Sequence, residues 1–487
     1  MAWELDGVSP LWAPWRTHTV EALPRTSWTA SPETRRRRRV RTTSAKTKES
    51  TVLSSTRSGG RRLAATAGIA TLALGLSACG GGSDEGEGGT ADEPITLTVA
   101  TFNDFGYTDE LLAKYTEEHP NVTVKQTVAA QAEDARTNLT TKLAAGGEGL
   151  ADVEAIEVDW ISELAQYPDL FTDLADPELD GRWVDWKVAQ ATTSDGKLIG
   201  YGTDIGPEAI CYRQDLLEDA GLPSAPDEVA ELLGGDDATW DDYFAAGADF
   251  VKNSDSAWYD SGVAIYQGLV NQIDYAYENE DGTPKPLADN AEISDLYGTV
   301  VEQDEAGLSA DLEQWSEDWT SGFQNDAFAT MLCPAWMTGP IESNSGGVDG
   351  WNIADVFPGG GGNWGGSFLT VPASGEHTTE AKELAAWLTA PEQQTAAFEN
   401  AGTFPSQVEA QGSEQVQSFT NAFMNDAPAG QIFSNRAQAI EGNPFKGPNY
   451  FAIHQAVQDG IKRVEINGED PATSWDKSLA AYDELGL

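Results

Sequence analysis

The chain has 487 residues, with 79 acidic against 29 basic and a formal net charge of −50. A surface so acidic repels nucleic-acid phosphates and anionic lipid headgroups, which argues against both as partners. The length exceeds what one ordinary compact core organises, so at least two lobes are expected.

The charge is unevenly spread: the first 79 residues hold 13 of the basic residues and 5 of the acidic ones, leaving 16 basic against 74 acidic in 80–487. Residues 1–56, with the basic run Arg35 to Arg39, precede an otherwise complete export signal. They read as a non-native N-terminal extension or a disordered segment, and Val52 could serve as an alternative start. The signal combines Arg57, Arg61 and Arg62 with an apolar run from Leu63 to Leu76 and the ending Leu76-Ser77-Ala78-Cys79. That run is shorter than the ~20 residues a helix needs to cross a bilayer, and its ending matches the bacterial lipobox. Residues 57–79 are therefore expected to be a lipoprotein signal peptide, with Cys79 diacylated and anchoring the mature chain at the extracellular face of the cytoplasmic membrane. Residues 80–93 form a flexible tether rich in glycine and small polar residues. With Cys79 lipidated, Cys211 and Cys333 form either a disulfide or two separate buried thiols.

After the tether, Ile95, Leu97 and Val99 alternate with Thr96 and Thr98, the period-two pattern of a strand. Thr108 then caps a helix with Asp109 and Glu110 in its first turn and Leu111, Leu112 and Tyr115 on its apolar face, stopped by Pro120. Val122, Val124 and Val128 mark a second strand, a second helix runs to about Ala145, and a third strand spans about Ala151 to Val158. This β-α-β-α-β order predicts a parallel sheet covered by helices. A turn at Gly196-Lys197 feeds a short strand, Ala209 to Tyr212 forms another, and Thr239 caps a helix beginning at Trp240. Helices dominate 205–335 and suggest a second lobe. Ser367 to Val371 reads as a strand, followed by helices containing Ala385-Ala386-Trp387-Leu388 and opening at Pro391.

Gly196-Lys197 through Asp204, Cys211-Tyr212-Arg213-Gln214-Asp215-Leu216, Trp364-Gly365-Gly366-Ser367-Phe368 and Phe404-Pro405-Ser406 follow one another along the chain. In that order, behind a lipobox, the sequence resembles the extracellular solute-binding proteins of carbohydrate ABC importers, family 1, which include maltose-binding protein. Asn363-Trp364-Gly365-Gly366-Ser367 and Cys333-Pro334-Ala335-Trp336-Met337 look most like actinobacterial binding lipoproteins for cellobiose or xylobiose. The resemblance implies an α/β, two-lobed periplasmic-binding-protein fold of type II, with a ligand cleft between lobes joined by hinge strands. It allots 94–203 plus about 336–390 to the first lobe and about 204–335 plus about 391–487 to the second. An oligosaccharide ligand, importer permease subunits as partners, a monomer, and no enzymatic activity, cofactor or metal are what it implies.

In open α/β sheets, ligands lie beyond the carboxyl ends of the strands, which singles out Asn103 and Asp104 after the first strand and Asp159 and Trp160 after the third. A sugar presents C–H faces that stack on aromatic rings and hydroxyls that carboxylates accept from in pairs. Trp364 and Gly365, in a stretch with six glycines from 359 to 366, and Trp336 suit the first need. Asp204, placed between the lobes by the resemblance, suits the second. Trp240, Trp315 and Trp319 read as lobe packing, and Asn449-Tyr450 as a weaker candidate for the cleft. No G-x-S-x-G elbow or phosphate loop is present. The rivals are a secreted glycoside hydrolase acting on such sugars, which needs two carboxylates, and a binding protein for a non-sugar solute.

Overall fold

A computed structural model describes residues 94–440 and 444–487. The N-terminal extension, the signal segment, Cys79 and the tether lie outside the described residues.

The alternation read in the sequence forms β1 (Ile95–Phe102), whose Leu97 and Val99 are fully buried. The Thr108 hydroxyl accepts from the Leu111 amide at 3.2 Å, so α1 (Asp109–Glu118) starts where the cap places it and buries Leu111, Leu112 and Tyr115. β2 (Val122–Ala129) pairs parallel to β1, α2 (Ala132–Ala144) buries Leu139 and Leu143, and β3 (Val153–Glu157) pairs parallel to β1 on its other side. The third strand is shorter than predicted because Val158 already opens α3 (Val158–Leu164), capped by the Glu157 carboxylate on the Asp159 amide.

The sheet is not wholly parallel. Its order is β2-β1-β3-β9-β4, where β9 (Ser367–Thr370) runs antiparallel to both β3 and β4 (Tyr201–Gly202). β9 comes back from the other lobe rather than over a crossover helix, so the right-handed crossover that enforces parallel pairing does not apply to it. The second sheet has the order β6-β7-β5-β8, from Ala257–Tyr259, Phe328–Pro334, Glu208–Arg213 and Trp351–Ala354. β5 and β7 are buried along their whole length, as central strands covered on both faces must be. One apolar cluster lies on the first sheet, around Val99, Ile156, Ile161 and Leu369, and another on the second, around Ile210, Tyr212, Tyr259 and Leu332.

The lobe boundaries read from sequence need correction at two points. Trp351–Ala354, in the stretch 336–390 assigned to the first lobe, pairs with β5 in the second sheet. The helix Pro391–Ala401, assigned to the second lobe, packs on the first: Gln394 donates to the Gly202 carbonyl at 2.7 Å and Asn400 to the Gly106 carbonyl at 3.0 Å. β8 is four residues long and carries little periodic signal, and a helix does not announce which lobe it covers. The chain thus passes between sheets near 203–207, 355–366 and 402–407. These segments are tied together by bridges between Pro207 and Asn363 and between Asp204 and Pro405. No helix among the described residues is long and apolar enough to cross a membrane.

A disulfide joins Cys211 in β5 to Cys333 in β7, with Cα atoms 5.4 Å apart and a sequence separation of 122. Closing so long a loop removes entropy mainly from the unfolded chain. Replacing both cysteines by alanine is expected to lower the unfolding free energy by about 3–5 kcal/mol, measured by chemical denaturation; an unchanged midpoint would show the bond adds nothing.

Candidate functional site

The ends of β1 and β3 face the helices of the second lobe across a cleft of about 230 Å³. All eight residues singled out in the sequence border it, Asn103, Asp104, Asp159, Trp160, Asp204, Trp336, Trp364 and Gly365, although Trp160 is a buried residue of the first lobe's core and offers the cleft almost no surface. From the second lobe come Gln267, Trp315, Phe451, His454, Gln458 and Glu465, none of them selected from sequence. Trp319 and Trp240 do not reach the cleft. The Trp319 indole donates to buried Asp260 at 2.8 Å, and Trp240 packs against Tyr243, Phe244 and Phe357. Asn449 is likewise occupied, donating to Glu278, and Tyr450 is buried in the second lobe's core.

The tryptophans are held by a hydrogen-bonded knot at the hinge. Asn363, buried, accepts from the Gly206 amide at 2.9 Å and donates to the Gly365 carbonyl at 3.0 Å. The Trp364 amide donates to the Gly206 carbonyl at 2.9 Å, and the Trp336 indole N–H donates to the Trp364 carbonyl at 2.8 Å. Two glycines are obligatory: a Cβ at Gly206 would lie 1.8 Å from the Trp364 carbonyl oxygen, and Gly365 sits at φ +80° with Trp336 3.1 Å from where its Cβ would be. The rings of Trp336 and Trp364 meet edge to face at 5.7 Å, and Trp315 lies near parallel to Trp336 at 6.2 Å. All three are half-buried, so each keeps ring surface for a solute. Because the Trp336 N–H is spent within the protein, its face rather than its donor is on offer.

Trp315, read from the sequence as lobe packing, lines the cleft instead, because it sits in the turn ahead of the helix Glu317–Gly322 and not within a helix. Its backbone φ is +70°, a conformation bulky residues rarely adopt, and Asn103 on the opposite side of the cleft has φ +49°.

Charge in the cleft is mostly acidic: Asp104, Glu133, Glu157, Asp159, Asp204, Glu313 and Glu465 face Arg136 and Lys462. Asp204 accepts from the Thr203 hydroxyl at 2.6 Å and the Ser367 amide at 2.8 Å, which fixes its carboxylate at the hinge. Burial, reinforced by Asp159, pushes the Glu157 carboxyl well above the usual range, and burial carries Glu465 up to about 8. Behind Glu157, the Lys187 ammonium stands 3.9 Å over the Phe368 ring, and burial brings it down to about 8. A carboxyl that holds its proton near neutrality, as Glu465 does, can donate as well as accept, which suits neutral hydroxyl groups better than anions.

His454 donates from Nε2 to Gln267 at 2.7 Å and accepts at Nδ1 from the Tyr277 hydroxyl at 2.8 Å, so both ring nitrogens are committed and neither is a free base. Burial lowers it from 6.5 to about 4.

Two α/β lobes with a polar, aromatic-walled cleft between them define a two-lobed solute-binding architecture. The chain belongs to the bacterial extracellular solute-binding proteins, whose pattern it matches over residues 110–424. It is similar to a solved extracellular solute-binding protein of family 1, at 46% identity and a TM-score of 0.71 over 80% of this chain and 99% of that one. It is also similar to the ABC-transporter-associated binding protein from B. animalis subsp. lactis, solved with beta-1,6-galactobiose, at 18% identity and a TM-score of 0.67 over 80% and 96% of the two chains. The arabinooligosaccharide-binding protein of Halalkalibacterium halodurans shares 21% identity over 394 residues, 77% of this chain and 81% of that one.

A histidine kept neutral by the fold opposes acid conditions. Its contribution is complete above the unfolded value of 6.5 and is lost as pH falls towards about 4. In His454→Gln, the loss of stability between pH 6.5 and pH 4 is expected to be shallower than in the parent, followed by thermal unfolding across that range; parallel curves would contradict a buried neutral imidazole.

Proposed function

We propose that the protein captures an oligosaccharide outside the cell and delivers it to the permease subunits of an ABC importer, tethered by lipid on Cys79 at the extracellular face of the cytoplasmic membrane. The observation that carries this reading is the convergence of half-buried Trp315, Trp336 and Trp364 with a rim of carboxylates and amides on one cleft reached from both lobes. Aromatic faces match the C–H surfaces of pyranose or furanose rings, and the rim matches their hydroxyls. The relatives named for arabinooligosaccharides and the neighbour solved with a galactobiose support a short oligosaccharide. The motifs around Asn363-Trp364 and Pro334-Ala335-Trp336 favour a β-linked cello- or xylo-oligosaccharide within that class.

The mechanism is closure without chemistry. A sugar that touches both lobes stabilises the closed arrangement over the open one and shifts the population accordingly. Moving a 1:99 equilibrium to 99:1 requires about 10⁴-fold preference for the closed state, which no contact on a single lobe supplies. Asn103, Asp104 and Asp159 act from the first lobe, Trp315 from the second, and Asp204, Trp336, Trp364 and Gly365 at the hinge, while Trp160 packs behind them in the first lobe's core.

Calorimetry with cello-, xylo-, arabino-, galacto- and malto-oligosaccharides, with product analysis of the same mixtures, tests this. Binding of one series without turnover is expected, whereas released monosaccharide would establish a hydrolase and silence across the panel a different solute. Trp364→Ala should weaken binding by tenfold or more, about 1.4 kcal/mol for each factor of ten, with little change in melting temperature; full retained affinity would remove Trp364 from the contact surface.

A further inference from the structure

Two charged contacts span the cleft away from the tryptophans. Lys446 forms an ion pair with Asp159, and the Arg136 guanidinium lies 4.3 Å over the Phe451 ring. Asp159 and Arg136 belong to α3 and α2, which bury Val158, Ile161, Leu139 and Leu143 in the first lobe. Lys446 belongs to the second lobe: the Phe445 amide donates to the Asp274 carbonyl at 2.7 Å, and the Asn449 amide to Glu278 at 3.0 Å. Opening the cleft therefore breaks both contacts.

The partners are not equally provided for. Arg136 keeps its own-lobe ion pair with Glu163 at 2.5 Å, and Asp159 on the cleft wall returns to water. Lys446 is nine-tenths buried and would lose its counter-ion, an unfavourable state for a desolvated ammonium. Its own lobe holds one carboxyl without a hydrogen-bond partner that the Lys446 charge acts on. Glu208, the first residue of β5, is fully buried, and neither of its oxygens has such a partner among the described residues. Besides Asp159, the ammonium faces the Tyr450 ring of its own lobe at 5.0 Å, and its charge acts on Glu157 and Lys187 from the first lobe and on Glu208 and the neutral His454 from the second.

We propose that Lys446 exchanges carboxylate partners as the cleft works, holding Asp159 when the lobes are shut and Glu208 when they part; this rests on the closing sugar cleft proposed above. The exchange gives Glu208 a purpose that the closed arrangement leaves unexplained, and it sets a ligand-independent bias between the two states. It also moves a proton. With Lys446 on Asp159, burial holds the Glu208 carboxyl up at about 8, so it is protonated at neutrality. With Lys446 beside it, the carboxyl ionises. Closure thus takes up a proton, and affinity falls as pH rises through the window that ends near 8.

Glu208→Gln removes the open-state partner while keeping the shape and neutrality of the closed one. Ligand-free Glu208→Gln should be more compact in solution scattering than the parent. It should also bind its saccharide about threefold tighter or more, whereas a residue that merely supports β5 would weaken binding or leave it unchanged when replaced. In a Lys446→Met background the same replacement should have no effect, and calorimetry at pH 7 in buffers of different ionisation heat should show proton uptake by the parent that Glu208→Gln lacks. Weaker or unchanged affinity, or an equal effect with and without Lys446, would overturn the exchange. If no saccharide binds the parent, the sugar reading fails, and the scattering comparison alone decides: equal compactness contradicts the exchange. If Glu208→Gln does not fold, absence of proton uptake in the parent does so.

Discussion

The buried amide of Asn363 is the constraint on which the rest of the architecture leans. By bonding the Gly206 amide and the Gly365 carbonyl at once, it ties the segment at 203–207 to that at 355–366 and fixes where Trp364 stands. Trp336 is locked in turn through its N–H to the Trp364 carbonyl. On the closure proposed above, an aromatic wall pinned at the hinge would pivot little as the lobes rotate, so part of the site would be formed before any ligand arrives. Preorganisation of that kind lowers the ordering cost of binding. It also explains the glycines: the close approach of Gly206 to the Trp364 backbone leaves no room for a side chain.

Around this wall the two lobes bring groups of different kinds. The first lobe contributes strand ends with Asn103, Asp104 and Asp159, the second a helix, Tyr450–Glu465, carrying Phe451, His454, Gln458 and Glu465. Phe451 also packs against the first lobe's apolar cluster, so the same helix closes the mouth and lines it. Acidic groups outnumber basic ones in the cleft, and two of them, Glu157 and Glu465, are raised by burial, a pattern that suits neutral hydroxylated solutes better than anions. The excess acidity of residues 80–487, 74 acidic against 16 basic, is thus continued inside the site rather than reversed there.

Much of this was legible in the sequence wherever local chemistry decides. Alternation gave β1, hydroxyl caps gave the starts of α1 and of the helix opening at Trp240, whose Thr239–Asp242 capping box is complete. The general placement of ligands beyond strand ends led to Asn103, Asp104, Asp159 and Trp160, all of which line the cleft. Long-range pairing was not legible. The antiparallel entry of β9, the membership of four-residue β8 and the lobe covered by the helix at Pro391 depend on where distant segments meet. Trp315 has no periodic context, and the Lys446–Asp159 pair joins residues 287 positions apart, so neither leaves a local mark. Residue type pointed to sugar chemistry; only the packing showed which tryptophans keep a face exposed.

The central claim is that two lobes close around a saccharide at this cleft. Spin labels on cysteines introduced at exposed Val128, at the rim of the first lobe, and exposed Ile466, at the end of the second lobe's cleft helix, measure the opening directly by pulsed dipolar spectroscopy. A saturating bound oligosaccharide is predicted to shorten and narrow the distance distribution. A distribution unchanged by a sugar that demonstrably binds would contradict closure as the mechanism.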